Sequence, residues 1–203
     1  MVHTPHHTKE LTEMDKEELT NLFLMYQKRV RVLANEGVPI LFRNRGEHAG
    51  TSIPHPHSQL IILPKQINLQ ALSLEPIKNE ITRNEQFVAY CPDFSQFPYE
   101  VWIAHNDCAL SEPSAETIQK IQLVNFNEAE LTSLGRLLQK TITAMEKILG
   151  KDVSYNYYFA PKPPFYLRII PRVVTRGGFE LGTGLSTNIV DPTLAAEEYR
   201  KNI

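Results

Sequence analysis

Asn44-Arg45-Gly46-Glu47-His48-Ala49-Gly50-Thr51-Ser52-Ile53-Pro54-His55-Pro56-His57-Ser58-Gln59 runs directly into the apolar stretch Leu60-Ile61-Ile62-Leu63. It holds three of the chain's seven histidines and two of its nine glycines. The apolar run predicts a strand. Side chains alternate along extended backbone, so His55, His57 and Gln59 fall on one face. Pro54 and Pro56 have no N–H to give to a ladder, which places the segment at a strand start or a sheet edge. Two histidines on one face suit either metal ligation or nucleophilic and acid–base work. Upstream, Gly46 and Gly50 permit close backbone approach, Ser52 adds a hydroxyl, and Arg43 and Arg45 add forked positive charge. Together these are the groups a phosphate needs. The plainer reading is a polar turn before a buried strand, and a His-x-His pair alone does not separate the two.

Working outward, Asp15 with Glu18 predicts a capping box, and Leu19, Leu22, Phe23, Tyr26, Val30 and Leu33 trace one helical face closed by Gly37. Residues 38–42 read as a strand into the histidine loop. Residues 65–84 read as an irregular crossing. Strands are then expected over 85–90 and 100–104, on either side of an aromatic turn. Asn127 with Glu130 opens a second long helix marked by Leu131, Leu134, Leu138, Ile142, Met145 and Leu149 and closed by Gly150. Strands over 155–159 and 165–170 follow. The plan of strand, helix, strand, strand occurs twice, which predicts an α+β fold.

At 203 residues and 42% hydrophobic, the chain can bury a substantial core. A net charge of −2 and a pI near 6.4 give no reason to expect a nucleic-acid or membrane-surface partner. No apolar run approaches twenty residues and no basic-then-apolar leader opens the chain, so a soluble, cytoplasmic protein is expected. Cys91 and Cys108 read as buried or incidental thiols. His105, a single histidine at a strand end, reads as a surface or hydrogen-bonded residue rather than a catalyst. His3, His6 and His7 could be an incidental, disordered start.

The pattern Phe42-x-Asn44-x-Gly46, then Gly50-x-Ser52-x-Pro54-His55-Pro56-His57-x-Gln59, resembles the active-site signature of the galactose-1-phosphate uridylyltransferase family, a branch of the histidine-triad superfamily. Gly177-Gly178-Phe179-Glu180-Leu181-Gly182-Thr183-Gly184, with Asp191-Pro192 and a helix over 193–200, resembles that family's hexose-recognition segment and C-terminal helix. Thr4-Pro5-His6-His7 resembles its zinc-binding turn.

The resemblance implies a histidine-triad-like fold of two similar halves, each with an antiparallel sheet and a long amphipathic helix. Residues 1–68 would be the C-terminal part of the first half and 69–203 the second half. It implies His57 as nucleophile, Ser52 and Gln59 on the transferred phosphate, and Asn44 and Gly50 on the nucleotide. Gly178, Phe179 and Glu180 would bind the hexose, and His7 and His55 would ligate zinc. The family's usual chain is longer at its N-terminus, where a Cys-x-x-Cys pair completes that zinc site, so the site is expected to be incomplete here. Tyr166 and Arg168 stand where one branch has a His-x-His, so no second metal is expected, and Arg168 should hold a phosphate or a structural carboxylate.

The implied activity moves UMP between UDP-hexose and hexose 1-phosphate through a covalent nucleotidyl-histidine, as a homodimer in galactose metabolism. The alternatives are a nucleoside-diphosphate-sugar phosphorylase or adenylyltransferase, or a truncated non-catalytic sugar-nucleotide binder. Gln59 bears on this. An amide cannot shuttle a proton near neutral pH but can hold a phosphoryl oxygen, which favours transfer to a second phosphate over hydrolysis.

Overall fold

Asp15 and Glu18 each accept the other's backbone N–H at 2.9 Å, and this box opens helix α1 (Lys16–Leu33). The same device, Asn127 with Glu130, opens α3 (Glu128–Leu149). The structure, a computed structural model, describes residues 1–67, 77–109 and 113–203. Its strands are β1 (Val38–Arg45), β2 (Gln59–Leu63), β3 (Asn79–Arg83), β4 (Phe87–Cys91), β5 (Val101–His105), β6 (Tyr155–Phe159) and β7 (Tyr166–Pro171). Three shorter helices are α2 (Ala115–Lys120), α4 (Gly178–Thr183) and α5 (Pro192–Asn202).

All seven strands join one antiparallel sheet in the order β2-β1-β6-β7-β5-β4-β3. The two sheets expected of two halves are therefore one. The seam is β1 against β6, where Arg43 pairs with Tyr157 and Arg45 with Tyr155. Pairing there leaves neither strand with an open row of N–H and C=O groups, which is the physical reason for a shared sheet. The boundary expected between 68 and 69 lies outside the described residues.

One sheet face carries α1 and α3, which bury Leu19, Phe23, Tyr26, Leu131, Leu138 and Ile142 against Leu41, Ile103, Tyr157 and Leu167. The predicted helical faces are the buried ones. Two boundaries differ from expectation. Strand β3 lies inside the stretch expected to be irregular; only Ile81 of it is buried, so it has no apolar run to announce it. Gly37 does not cap α1, which ends at Leu33. Its role is close packing, since a Cβ there would stand 2.3 Å from the Leu63 carbonyl oxygen.

The opposite face has its own cluster, in which Trp102 stacks on Tyr166 at 4.2 Å and meets the Phe94 ring edge at 5.1 Å. Beside it Arg168 makes a two-pronged ion pair with buried Glu100, at 2.7 and 2.9 Å. Of the two roles open to Arg168, the structure gives it the structural carboxylate. Both cysteines are buried free thiols, and burial pushes Cys108 up to about 11.

Candidate active site

The β1–β2 ladder runs from Val38–Leu63 to Phe42–Gln59. Beyond it the chain carries on as residues 54–58, and the N-terminus supplies a new partner. Val2 and His57 form an antiparallel bridge, His3 N–H donates to Pro56 O at 3.0 Å, and Ser58 N–H donates to Met1 O at 2.9 Å. The start, for which disorder was one of two readings, is thus an ordered strand partner.

His57 is oriented by backbone. Its Nδ1 lies 2.9 Å from the His55 carbonyl oxygen, which can only accept, so Nδ1 carries the proton. In the neutral ring that leaves the lone pair on Nε2. His57, His55, Asn44, Gly46 and Thr51 line a cleft of about 260 Å³. Gln59 shares His57's side of the strand by alternation. Gln59, Ser52 and Gly50 are not among the described residues that line the cleft itself.

The glycine loop is built on backbone that only glycine adopts freely. Gly46 has φ +85° and Gly50 φ +76°. Contrary to expectation, the loop's N–H groups are largely spent on itself. Ala49 N–H donates to Gly46 O at 3.2 Å and Gly50 N–H to Glu47 O at 3.1 Å. Strand side chains pin it from below: Asn156 Nδ2 donates to Asn44 Oδ1 at 2.8 Å and to Ala49 O at 2.9 Å. Asn44 in turn reaches Gly50 O at 3.3 Å. Asn156 was not singled out in the sequence; its one signal is a polar residue in the aromatic strand Tyr155-Asn156-Tyr157-Tyr158-Phe159.

Arg43 and Arg45 are not arrayed for a phosphate. Arg43, 1% exposed, is ion-paired to Glu10, and Arg45 Nε lies 3.6 Å from the same carboxylate while its Nη1 donates to Val153 O at 2.6 Å. Glu10, another residue the sequence did not flag, reaches both because it precedes the single turn at Leu11–Glu13.

The rings of His7 and His55 lie 4.7 Å apart, and His55 Nε2 donates to Thr4 O at 2.8 Å. No group of three or more potential metal ligands occurs among the described residues. A tetrahedral structural zinc takes four donors, and these two histidines make half a site. Gly178, Phe179 and Glu180 lie in α4, a short helix. Glu180 caps that helix, accepting from Gly177 N–H at 2.9 Å, and none of the three lines the cleft. His105 is held at the end of β5 between Phe87 and Phe126, with burial lowering its pKa.

No helix of the described residues is long and apolar enough to cross a membrane. No family model matches the chain. Along 99% of its length it is 25% identical to the ADP-glucose phosphorylase of Arabidopsis thaliana, spanning 63% of that protein. It is 24% identical to the galactose-1-phosphate uridylyltransferase of Thermotoga maritima, over 99% of this chain and 72% of that one. The crystal structure of the Arabidopsis thaliana ADP-glucose phosphorylase with bound ADP-glucose superposes on 98% of the chain with a TM-score of 0.83, at 23% identity, covering 71% of that structure. The α+β fold is shared with these proteins.

Proposed function

We propose that this chain, a homologue of galactose-1-phosphate uridylyltransferase and ADP-glucose phosphorylase along nearly its whole length, is a nucleotidyl-transferring enzyme whose nucleophile is His57 Nε2. The observation that carries the reading is the 2.9 Å bond from His57 Nδ1 to the His55 carbonyl. With the proton on Nδ1, the neutral ring offers Nε2 to attack phosphorus. The bound donor is a nucleoside-diphosphate hexose, UDP-hexose in the leading form.

His57 Nε2 attacks the α-phosphorus. A P–N bond forms, and the bond to the oxygen bridging the two phosphates breaks. Hexose 1-phosphate leaves with that electron pair, and UMP stays on the ring. The ring becomes cationic, and the His55 carbonyl, already accepting from Nδ1–H, favours that charge. A phosphate oxygen of a second hexose 1-phosphate then displaces His57. Ser52 and the Gln59 amide are the proposed donors to the transferred phosphoryl oxygens, and Asn44 with Gly50 shapes the nucleotide side. Gly178, Phe179 and Glu180 are proposed to meet the hexose in a homodimer. His7 and His55 would supply two donors to a zinc ion, and no step above passes through it.

A second reading is favoured by the phosphorylase relative: ADP-glucose as donor and inorganic phosphate as acceptor. Intact mass after incubation with UDP-glucose, and separately with ADP-glucose, tests both. One UMP added to the wild type and absent from His57→Gly is the expected result; AMP in its place selects the second reading. No adduct from either sugar nucleotide would overturn covalent transfer.

A further inference from the structure

His57 lies two residues beyond the Phe42–Gln59 pair where the β1–β2 ladder ends. Register is the property most at risk there, because a slip of one residue turns a strand's side chains to the other face. On the side of the strand away from His57, Ser58 is fully buried. Its Oγ lies 2.8 Å from His3 Nε2 and 2.6 Å from the Tyr26 hydroxyl. Tyr26 in turn lies 2.9 Å from the same His3 nitrogen and 3.1 Å from the Tyr157 hydroxyl. The cluster therefore ties four pieces of chain together: residues 1–3, α1, β6 and the segment carrying His57. His3 Nδ1 is buried with no partner among the described residues, so the ring is held for its Nε2 contacts at some cost. A cluster of this kind is expensive in an apolar core, where hydrophobic side chains would fill the same volume.

We propose that His3 is a positioning residue: with Tyr26 it locks Ser58 in register and so holds the His57 imidazole with Nε2 toward the cleft. The proposal rests on His57 being the nucleophile. It assigns the N-terminal segment a part in the reaction through geometry, without contact with substrate.

The test compares the wild type with His3→Phe, His3→Gln and Tyr26→Phe, using UDP-glucose or ADP-glucose, whichever labels the wild type. The rate of adduct formation at saturating sugar nucleotide and the Kd for that nucleotide are measured separately. His3→Phe should slow labelling about 10- to 100-fold, because small misplacements of a reacting atom are that costly. Its Kd should stay within about twofold of the wild type, since binding and the reacting step part company under misplacement. His3→Gln, which can set an amide nitrogen where Nε2 stood, should recover part of the loss. Ring-nitrogen NMR should show His57 as a single Nδ1–H tautomer in the wild type and as a mixture in His3→Phe. Tyr26→Phe probes the same lock if His3→Phe fails to fold, and slower labelling at unchanged Kd is again expected. Labelling of His3→Phe or Tyr26→Phe at the wild-type rate overturns the proposal and leaves the nucleophile standing. A slowdown matched by a weaker Kd, or His3→Gln no better than His3→Phe, also overturns it. No adduct in the wild type removes the nucleophile reading and this one together.

Discussion

His3 also sets a pH dependence. Burial, and then the nearby Arg43 charge, pushes its pKa down from 6.5 to about 2, with His57, the N-terminus and His55 adding smaller repulsions. A lowered pKa means that the folded protein binds the ring neutral while the unfolded chain protonates it. The stabilisation is whole above the unfolded value and is lost as pH falls through 6.5 toward 2. Each pH unit in that window removes about 1.4 kcal/mol. Denaturant midpoints should therefore fall by roughly 2 kcal/mol of stability between about pH 7 and about pH 5, before most carboxylates titrate. His3→Phe should flatten that slope. Parallel slopes would mean that the folded ring protonates normally. Nothing in the sequence announced this: His3 read as part of an incidental start, because its partners Tyr26 and Ser58 stand 23 and 55 residues away.

At the scale of the element, the glycine loop separates two kinds of constraint. Gly46 has φ +85° and ψ 163°, a region nearly closed to other residues, and a Cβ there would stand 2.3 Å from Ser154 Oγ. Gly50 has φ +76° with open space around a would-be Cβ. Gly50→Ala should cost about 1–2 kcal/mol, the strain of a left-handed residue. Gly46→Ala should cost more than the roughly 1–3 kcal/mol of its backbone alone, because Ser154 must also move. Thermal melts of the two variants check the order, and Ser154→Gly in the Gly46→Ala background should recover only the clash. Equal losses would show that Ser154 gives way freely. The glycines at both positions were legible only as room for a ligand, not as positive-φ residues. The internal bonding of the loop and its pinning by Asn156 were not, because Asn156 sits 112 residues from Asn44.

At the scale of the molecule, one sheet shared by two sequence segments makes separate unfolding of the halves unfavourable. The β1–β6 seam would leave two new strand edges open. Trp102, fully buried in the middle of that sheet, is the single tryptophan and reports on it directly. Its fluorescence and far-ultraviolet circular dichroism should trace one coincident denaturant transition; two resolved transitions would show that the seam is weak. The sequence by itself determined α1, α3 and six of the seven strands. Those rest on capping, helical periodicity and strand alternation, whose information lies within a few residues of each position. Only the tertiary structure decided that β3 exists, that both segments share a sheet and that Arg43 and Arg45 answer to Glu10. It also decided that His3 lies under the strand bearing His57. Each of these depends on which strand edges meet and in what register. That is fixed by burial summed over the whole core rather than by any local pattern.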